Sequence, residues 1–175
     1  MRYYLEYGTK KTKCIELNVN PHVPFPKIVN IITQISIKDC PNKDLICYAV
    51  LELVSNAVRS HLEKQIQETI KIVFIVNDNK LCINIEDRGG GFDLRKLPYD
   101  INMDPHAIDL NSPQFQNYRE SNGYTRFGMG ILAARLIFPD FKIRFVTDSG
   151  LAETWSNLAL GTHISGTINL THYNK

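Results

Sequence analysis

Glu52-Leu53-Val54-Ser55-Asn56-Ala57 sets a carboxylate and an amide one helical turn apart. An amide oxygen can ligate Mg2+, an ion that keeps several waters and takes other ligands from phosphates, so one protein oxygen suffices. A glutamate one turn earlier can orient or deprotonate a nucleophile, either water or a hydroxyl. Asp87-Arg88-Gly89-Gly90-Gly91-Phe92 places a second carboxylate at the end of an apolar strand, with glycines directly behind it. That carboxylate can accept from an exocyclic amino group; adenine carries one where guanine carries an oxygen. Gly89 and Gly91 let the backbone turn sharply and come close to a flat base. Phe127-Gly128-Met129-Gly130-Ile131 opens an apolar helix with two glycines and has Arg126 just before it. Free N–H groups and the positive end of the helix dipole suit phosphate there. Each motif alone is equally at home in ordinary structure, as a polar helix face, an acidic turn or a loop-to-helix transition. Read together and in this order, they describe a nucleotide pocket.

These residues need elements to carry them. Cys14 to Val19 alternates loosely and reads as a strand; Pro21, Pro24 and Pro26 end it and lead into a helix with Ile28, Ile31, Ile32 and Ile35 at helical spacing. Lys38 to Lys43, with Pro41, is a polar connector, and Asn42 is the expected N-cap of the next helix. That helix is expected from about Lys43 to Gln65, with Cys47, Val50, Leu51, Val54 and Val58 as its apolar stripe. Glu52 and Asn56, four apart, stack on one face beside the stripe. Thr69 to Val76 and Leu81 to Glu86, joined by the short turn Asn77 to Lys80, read as an antiparallel hairpin. Asp93 to Arg126 holds three prolines, many polar residues and no clear period, as a functional lid or a disordered loop would; short helical pieces can fit within it. Gly128 to Phe138 is expected as a helix, and Phe141 to Thr147, Ala152 to Leu158 and Thr162 to Leu170 as strands. The order predicts an α+β fold, a two-layer sandwich with helices on one face of a mixed, largely antiparallel sheet.

Composition narrows the class. A chain of 175 residues, 43% hydrophobic and 22% charged, suits one globular domain with a full core. A net charge of +2 argues for neither nucleic acid nor an anionic membrane as partner. No stretch reaches the ~20 apolar residues a spanning helix needs, and the start Met1 to Tyr7 has no signal-peptide core. Cys14, Cys40, Cys47 and Cys82 form no CxxC pair and no zinc spacing, so they are expected reduced and structural, in the cytoplasm.

The three motifs, in this order, resemble the N, G1 and G2 boxes of the Bergerat-fold (GHKL) ATPases, which include DNA gyrase, histidine kinases, mismatch-repair ATPases and serine-kinase anti-sigma factors. The resemblance runs from about Cys14 to Leu170 and includes Gly161-Thr162 before the last strand. It implies ATP and Mg2+ as cofactors. Glu52 would be the general base or water-orienting residue and Asn56 the Mg2+ ligand. Arg59 falls where a basic residue approaches phosphate. Asp87 would read the adenine amino group, with Gly89 and Gly91 shaping the base pocket. Gly128, Met129 and Gly130 would lie under the phosphates, and Thr162 near the base. Residues 93–126 would be the ATP lid, with Arg119 and Arg126 its cationic candidates for the γ-phosphate. The sequence departs from many relatives in placing Ser60 between the basic residue and His61, and in a longer, less glycine-rich lid.

Within the family the chain looks most like the anti-sigma factor kinases, which bind a sigma factor and phosphorylate an antagonist protein on Ser or Thr. None of the five histidines has a phosphoacceptor context, and the roughly forty residues before Lys43 are already used by a strand and a helix. The expectation is an ATP-dependent Ser/Thr protein kinase with a regulatory protein partner, and a homodimer is compatible with it. Two other readings stay open: an ATP-gated interaction module with little catalysis, and an orphan histidine-kinase catalytic domain.

Overall fold

The structure is a computed structural model that describes residues 3–38, 40 and 42–171. Pro41, expected in the polar connector, lies outside the described residues. The chain opens with β1 (Leu5–Tyr7), β2 (Lys10–Thr12), β3 (Cys14–Val19), α1 (Phe25–Thr33), β4 (Ile35–Ile37) and α2 (Lys43–Glu63). The hairpin β5 (Ile70–Asn77) and β6 (Lys80–Asp87) follows, then a long connection that contains α3 (Pro113–Ser121). It closes with α4 (Gly130–Ile137), β7 (Asp140–Thr147), β8 (Gly150–Ala152) and β9 (Gly161–Asn169).

Six strands form one sheet in the order β3-β5-β6-β9-β7-β8, and each neighbouring pair runs antiparallel. The alternation in β6 does what period two demands. Leu81, Ile83 and Ile85 are buried, while Cys82, Asn84 and Glu86 face outward and are only partly covered. Ile72, Phe74 and Val76 of β5 and Ile164 and Ile168 of β9 continue the buried face. The helices cover it, so the two-layer α+β arrangement expected from the sequence is the one formed.

Helix α2 buries more than a stripe. Val50, Val54 and Val58 are buried as expected, but Cys47 and Leu51 sit at the margin, and Ile46, Ala49, Leu53 and Ala57 complete the buried arc. The helix packs on the sheet and also against α1 and α4, so it is covered on more than one side. It ends at Glu63, before Gln65, which takes a positive φ of 56° and turns the chain out of the helix. Asn42 stands at the N-cap position, but its side chain makes no capping bond. Its backbone sits at φ −100° and ψ 20°, outside the extended geometry from which a cap side chain reaches back.

Other boundaries move for local reasons. Ile35 leaves the helix pattern and opens β4. The helix expected from Gly128 starts at Gly130, because Gly128 holds a left-handed φ of +73°. In the strand expected over Ala152 to Leu158, pairing stops at Ala152. The following residues fold over the Asp87 loop instead, where the Trp155 indole N–H donates to the Gly90 carbonyl at 3.3 Å. A second small sheet, β2-β1-β4, has no counterpart in the sequence reading. The Tyr3 hydroxyl ties the start of the chain to the Leu170 carbonyl at 3.0 Å. No disulfide joins the four cysteines, and burial pushes the Cys40 and Cys47 thiols up, away from the reactive thiolate. Among the described residues no helix is long and apolar enough to cross a membrane.

The connection after β6 has a small core of its own. Phe115 of α3 is fully buried and stacks on Tyr99 with ring centroids 5.7 Å apart. The Arg119 guanidinium lies over the same Phe115 ring.

Candidate functional site

Asp87 closes β6, in register with Thr162 of β9. The pairing sinks its side chain to the floor of the molecule's cleft, and the residue keeps only 7% of its exposure. The Gly89 N–H donates to Asp87 Oδ1 at 2.6 Å, and the side chain and backbone of Thr162, across the β6–β9 pairing, lie close enough to favour the charged carboxylate. Burial pushes the Asp87 pKa above the ordinary carboxylate value, although the Gly89 N–H and Thr162 pull the other way. A buried carboxylate whose partners do not fully compensate it is a ready acceptor for one more donor.

Glu52 and Asn56 face the same cleft from α2, one turn apart. The start of α4 closes on them. A Cβ placed on Gly130 would lie 2.9 Å from Asn56 Nδ2 and 3.0 Å from Glu52 Oε2. Any larger residue would press on both groups. The first hydrogen bond of α4 runs from the Ala133 N–H to the Met129 carbonyl at 2.8 Å; the N–H groups before it lie ahead of the helix's own bonding.

A cavity of about 840 Å3 joins these parts. Glu52, Asn56, Arg59, Asp87, Gly91, Arg126, Gly128, Met129, Gly130 and Thr162 all line it. Gly89 does not reach the wall. It packs behind Asp87, where a Cβ would come within 2.5 Å of Ser60 Oγ. Arg59 has no ion-pair partner among the described residues, which leaves its guanidinium available to an anion in the cavity. The two arginines of the connection differ. Arg119 donates to the Leu110 carbonyl at 3.2 Å and is absorbed in the connection's own packing. Arg126 lines the cavity but is engaged by Glu63 at the end of α2, with contacts of 2.7 and 2.5 Å.

Both side chains line the cavity, so a phosphate drawn to Arg126 would compete with Glu63 for it. Both side chains are about half exposed, and such pairs are worth up to ~1 kcal/mol. Glu63→Gln is therefore expected to tighten ATP binding by up to about fivefold, measured by isothermal titration. A weaker Kd in that variant would show that Glu63 helps hold the ligand.

Sequence reasoning missed three residues here, Ser60, His61 and Lys64. Ser60 and His61 on the last turn of α2 and Lys64 at its C-cap all bond the loop behind Asp87. The signal was present: Glu52, Asn56, Ser60 and Lys64 follow one another at four-residue spacing and so share a helix face. Lys96, from the connection, also lines the cavity.

Asn56 is exposed and its amide has no hydrogen-bond partner among the described residues. Its oxygen is thus free to ligate a cation. No group of three or more His, Cys, Asp or Glu side chains gathers to hold a metal among the described residues. A single free amide oxygen suits an ion that takes most of its ligands from phosphate and water, as Mg2+ does.

No curated protein matches the chain. The sequence profile of the histidine kinase-, DNA gyrase B- and HSP90-like ATPases matches residues 42–165, a span that runs from the N-cap of α2 into β9 and contains every residue placed in the cavity above. With the helices layered on one face of an antiparallel sheet and a match over most of its length, the chain belongs to the histidine kinase-, DNA gyrase B- and HSP90-like ATPase family and is an ATP-binding protein.

Proposed function

We propose that the protein is an ATP-dependent regulator of the anti-sigma factor kinase type, which transfers the γ-phosphoryl group to a Ser or Thr hydroxyl of a partner protein. The observation that carries this reading is the placement of Glu52. Its carboxylate lies on the cavity wall one turn from Asn56 and against the start of α4, where a hydroxyl aimed at the terminal phosphate would meet a base.

In this reading Asp87 accepts from the adenine amino group, with Thr162 beside it. The backbone N–H groups at the start of α4, together with Arg59, receive the phosphates. Asn56 would hold Mg2+, which when bound neutralises phosphate charge. Glu52 takes the proton of the acceptor hydroxyl. Phosphoryl transfer needs positioning and electrostatics more than covalent help from the protein, so few side chains suffice. The connection of residues 93–126 acts as the lid, and the partner is a regulatory protein such as a sigma factor or its antagonist.

The test is to incubate the protein with Mg-ATP and a candidate partner encoded nearby, and to seek phosphoserine or phosphothreonine by mass spectrometry. Glu52→Ala is expected to lower transfer by at least about a hundredfold with the ATP Kd within about twofold of wild type. Acid-labile phosphate on a partner histidine would favour the orphan histidine-kinase reading instead.

A second reading has an observation of its own. The Arg126–Glu63 contact ties the connection to α2 within the cavity lining. ATP that displaces Glu63 would shift the connection and change an exposed surface without any chemistry. ATP-dependent partner binding with no transfer to any residue would select this gated-module reading over the kinase.

A further inference from the structure

One turn of α2 grips the loop that carries Asp87. His61 Nε2 accepts the Arg88 backbone N–H at 2.9 Å, and His61 Nδ1 lies 3.1 Å from the Glu68 carbonyl oxygen. A ring nitrogen that accepts carries no proton, and one facing a carbonyl must donate. The two contacts define a neutral imidazole with its proton on Nδ1. The ring is fully buried, and burial holds its pKa below the ordinary histidine value, in keeping with that neutral form. The 3.9 Å approach of Nε2 to Asp87 Oδ1 is therefore not an ion pair.

The neighbours of His61 reach the same loop. Ser60 Oγ donates to the Gly89 carbonyl at 2.9 Å, and the Lys64 ammonium donates to the same oxygen. Three successive peptide groups follow Asp87. Helix α2 holds the first through the Arg88 N–H and the third through the Gly89 carbonyl. The second, between them, supplies the Gly89 N–H that bonds Asp87 Oδ1. With both flanking peptides fixed, the middle one can turn only by a concerted change of Arg88 ψ and Gly89 φ, which breaks its bond to Asp87, so the carboxylate is restrained in turn.

We infer that Ser60 and His61 are positioning residues for base selection, which aim the Asp87 carboxylate at the exocyclic amino group of the purine by locking the two peptides on either side of its hydrogen-bond donor. The inference rests on Asp87 reading the base. A displacement of the carboxylate by a fraction of an ångström weakens a directional bond to adenine, while GTP, which makes no such bond, is insensitive to it.

The experiment compares His61→Asn with His61→Gln. Asparagine places its amide nitrogen near Nδ1 and keeps a donor for Glu68, but leaves the Arg88 N–H without an acceptor. Glutamine reaches the Nε2 position and restores that acceptor. Mg-ATP and Mg-GTP dissociation constants are measured by titration calorimetry, with melting curves in parallel. The expected result for His61→Asn is an ATP affinity about tenfold weaker, with GTP affinity unchanged. His61→Gln keeps the ATP-to-GTP ratio within about threefold of wild type. In an Asp87→Asn background, His61→Asn has no further effect on the ratio, because the residue it acts through is gone.

A histidine that only fills the core would lower the melting temperature in both variants and leave the ratio unchanged, and that result overturns the inference; so does a folded His61→Gln with its selectivity lost. If His61→Asn does not fold, Ser60→Ala, at a half-buried position, is expected to reduce the ratio about threefold, and an unchanged ratio there overturns the inference equally. Should Asp87→Asn alone leave the ratio intact, the failure lies in the base-reading role of Asp87, and the positioning role falls with it.

Discussion

Asp87→Asn is expected to weaken ATP binding roughly 10- to 150-fold, the worth of one hydrogen bond to a charged acceptor at ~1.5–3 kcal/mol. GTP binding should change little, so the gap between the two nucleotides closes. In wild type, ATP at about 100 times its Kd should stabilise the fold by ~2.7 kcal/mol, and GTP at the same concentration far less. The same substitution has an opposite effect on the empty protein. Burial raises the Asp87 pKa in the fold, so whatever the group contributes to stability is present below the ordinary carboxylate value and is lost as pH rises through the raised one. At neutral pH the buried charge is a cost, and asparagine removes it while its side-chain oxygen still accepts from the Gly89 N–H. The nucleotide-free variant should melt a few degrees higher than wild type. ATP affinity follows the ionised form: it is full above the raised pKa and falls as pH drops through it, starting at a higher pH than an exposed aspartate would allow. The variant's affinity should be flat over that range. Calorimetric titrations of both proteins across pH check the two affinity statements, melting curves without nucleotide check the stability, and equal wild-type responses to ATP and GTP would remove Asp87 from base recognition.

Gly161→Ala is expected to be the most damaging single-methyl change in the site. An ideal Cβ there falls 1.8 Å from the Asp87 carbonyl oxygen and 2.9 Å from the Arg88 Cα. Those atoms are backbone, so no side chain can swing aside to make room. Strands β6 and β9 must part where they hold Asp87 and Thr162 in register. The expected cost is about 3 kcal/mol or more, with ATP binding lost. Gly123→Ala is the control, since its Cβ would meet nothing within 4 Å. It should lose only about 1 kcal/mol for its positive φ and keep its ATP affinity. Urea unfolding and ATP titration of the two variants make the comparison; similar losses in both would mean that strand spacing at Gly161 does not control the site.

The parts of the molecule that could be read in advance are those with a period or a chemical signature. The alternation of Leu81, Ile83 and Ile85 announces a strand with one buried face, and the structure buries all three. Glu52, Asn56 and Asp87 stand out because a carboxylate or amide beside an apolar pattern needs a reason. The short strands β1, β2 and β4 have three residues each, too few to show alternation above chance. Helix α3 hides because Phe115 is its one buried residue, so it has no stripe to display. Arg126 could be placed near the phosphates by position, but its contact with Glu63 joins residues far apart in sequence, and no local pattern encodes such a pairing. Ser60 and Lys64 escape notice because polar residues on a helix face usually point to water.

The packing of Phe115 against Tyr99 sets how the cost of capturing a nucleotide is divided. A flap without internal packing must give up its conformational entropy at the moment the ligand arrives. Here that entropy has already been surrendered during folding. In the proposed lid role, the connection would meet the ligand as a piece already packed. Calorimetry should record a heat-capacity change in keeping with the ligand's own buried surface, and smaller than the one that accompanies coupled folding.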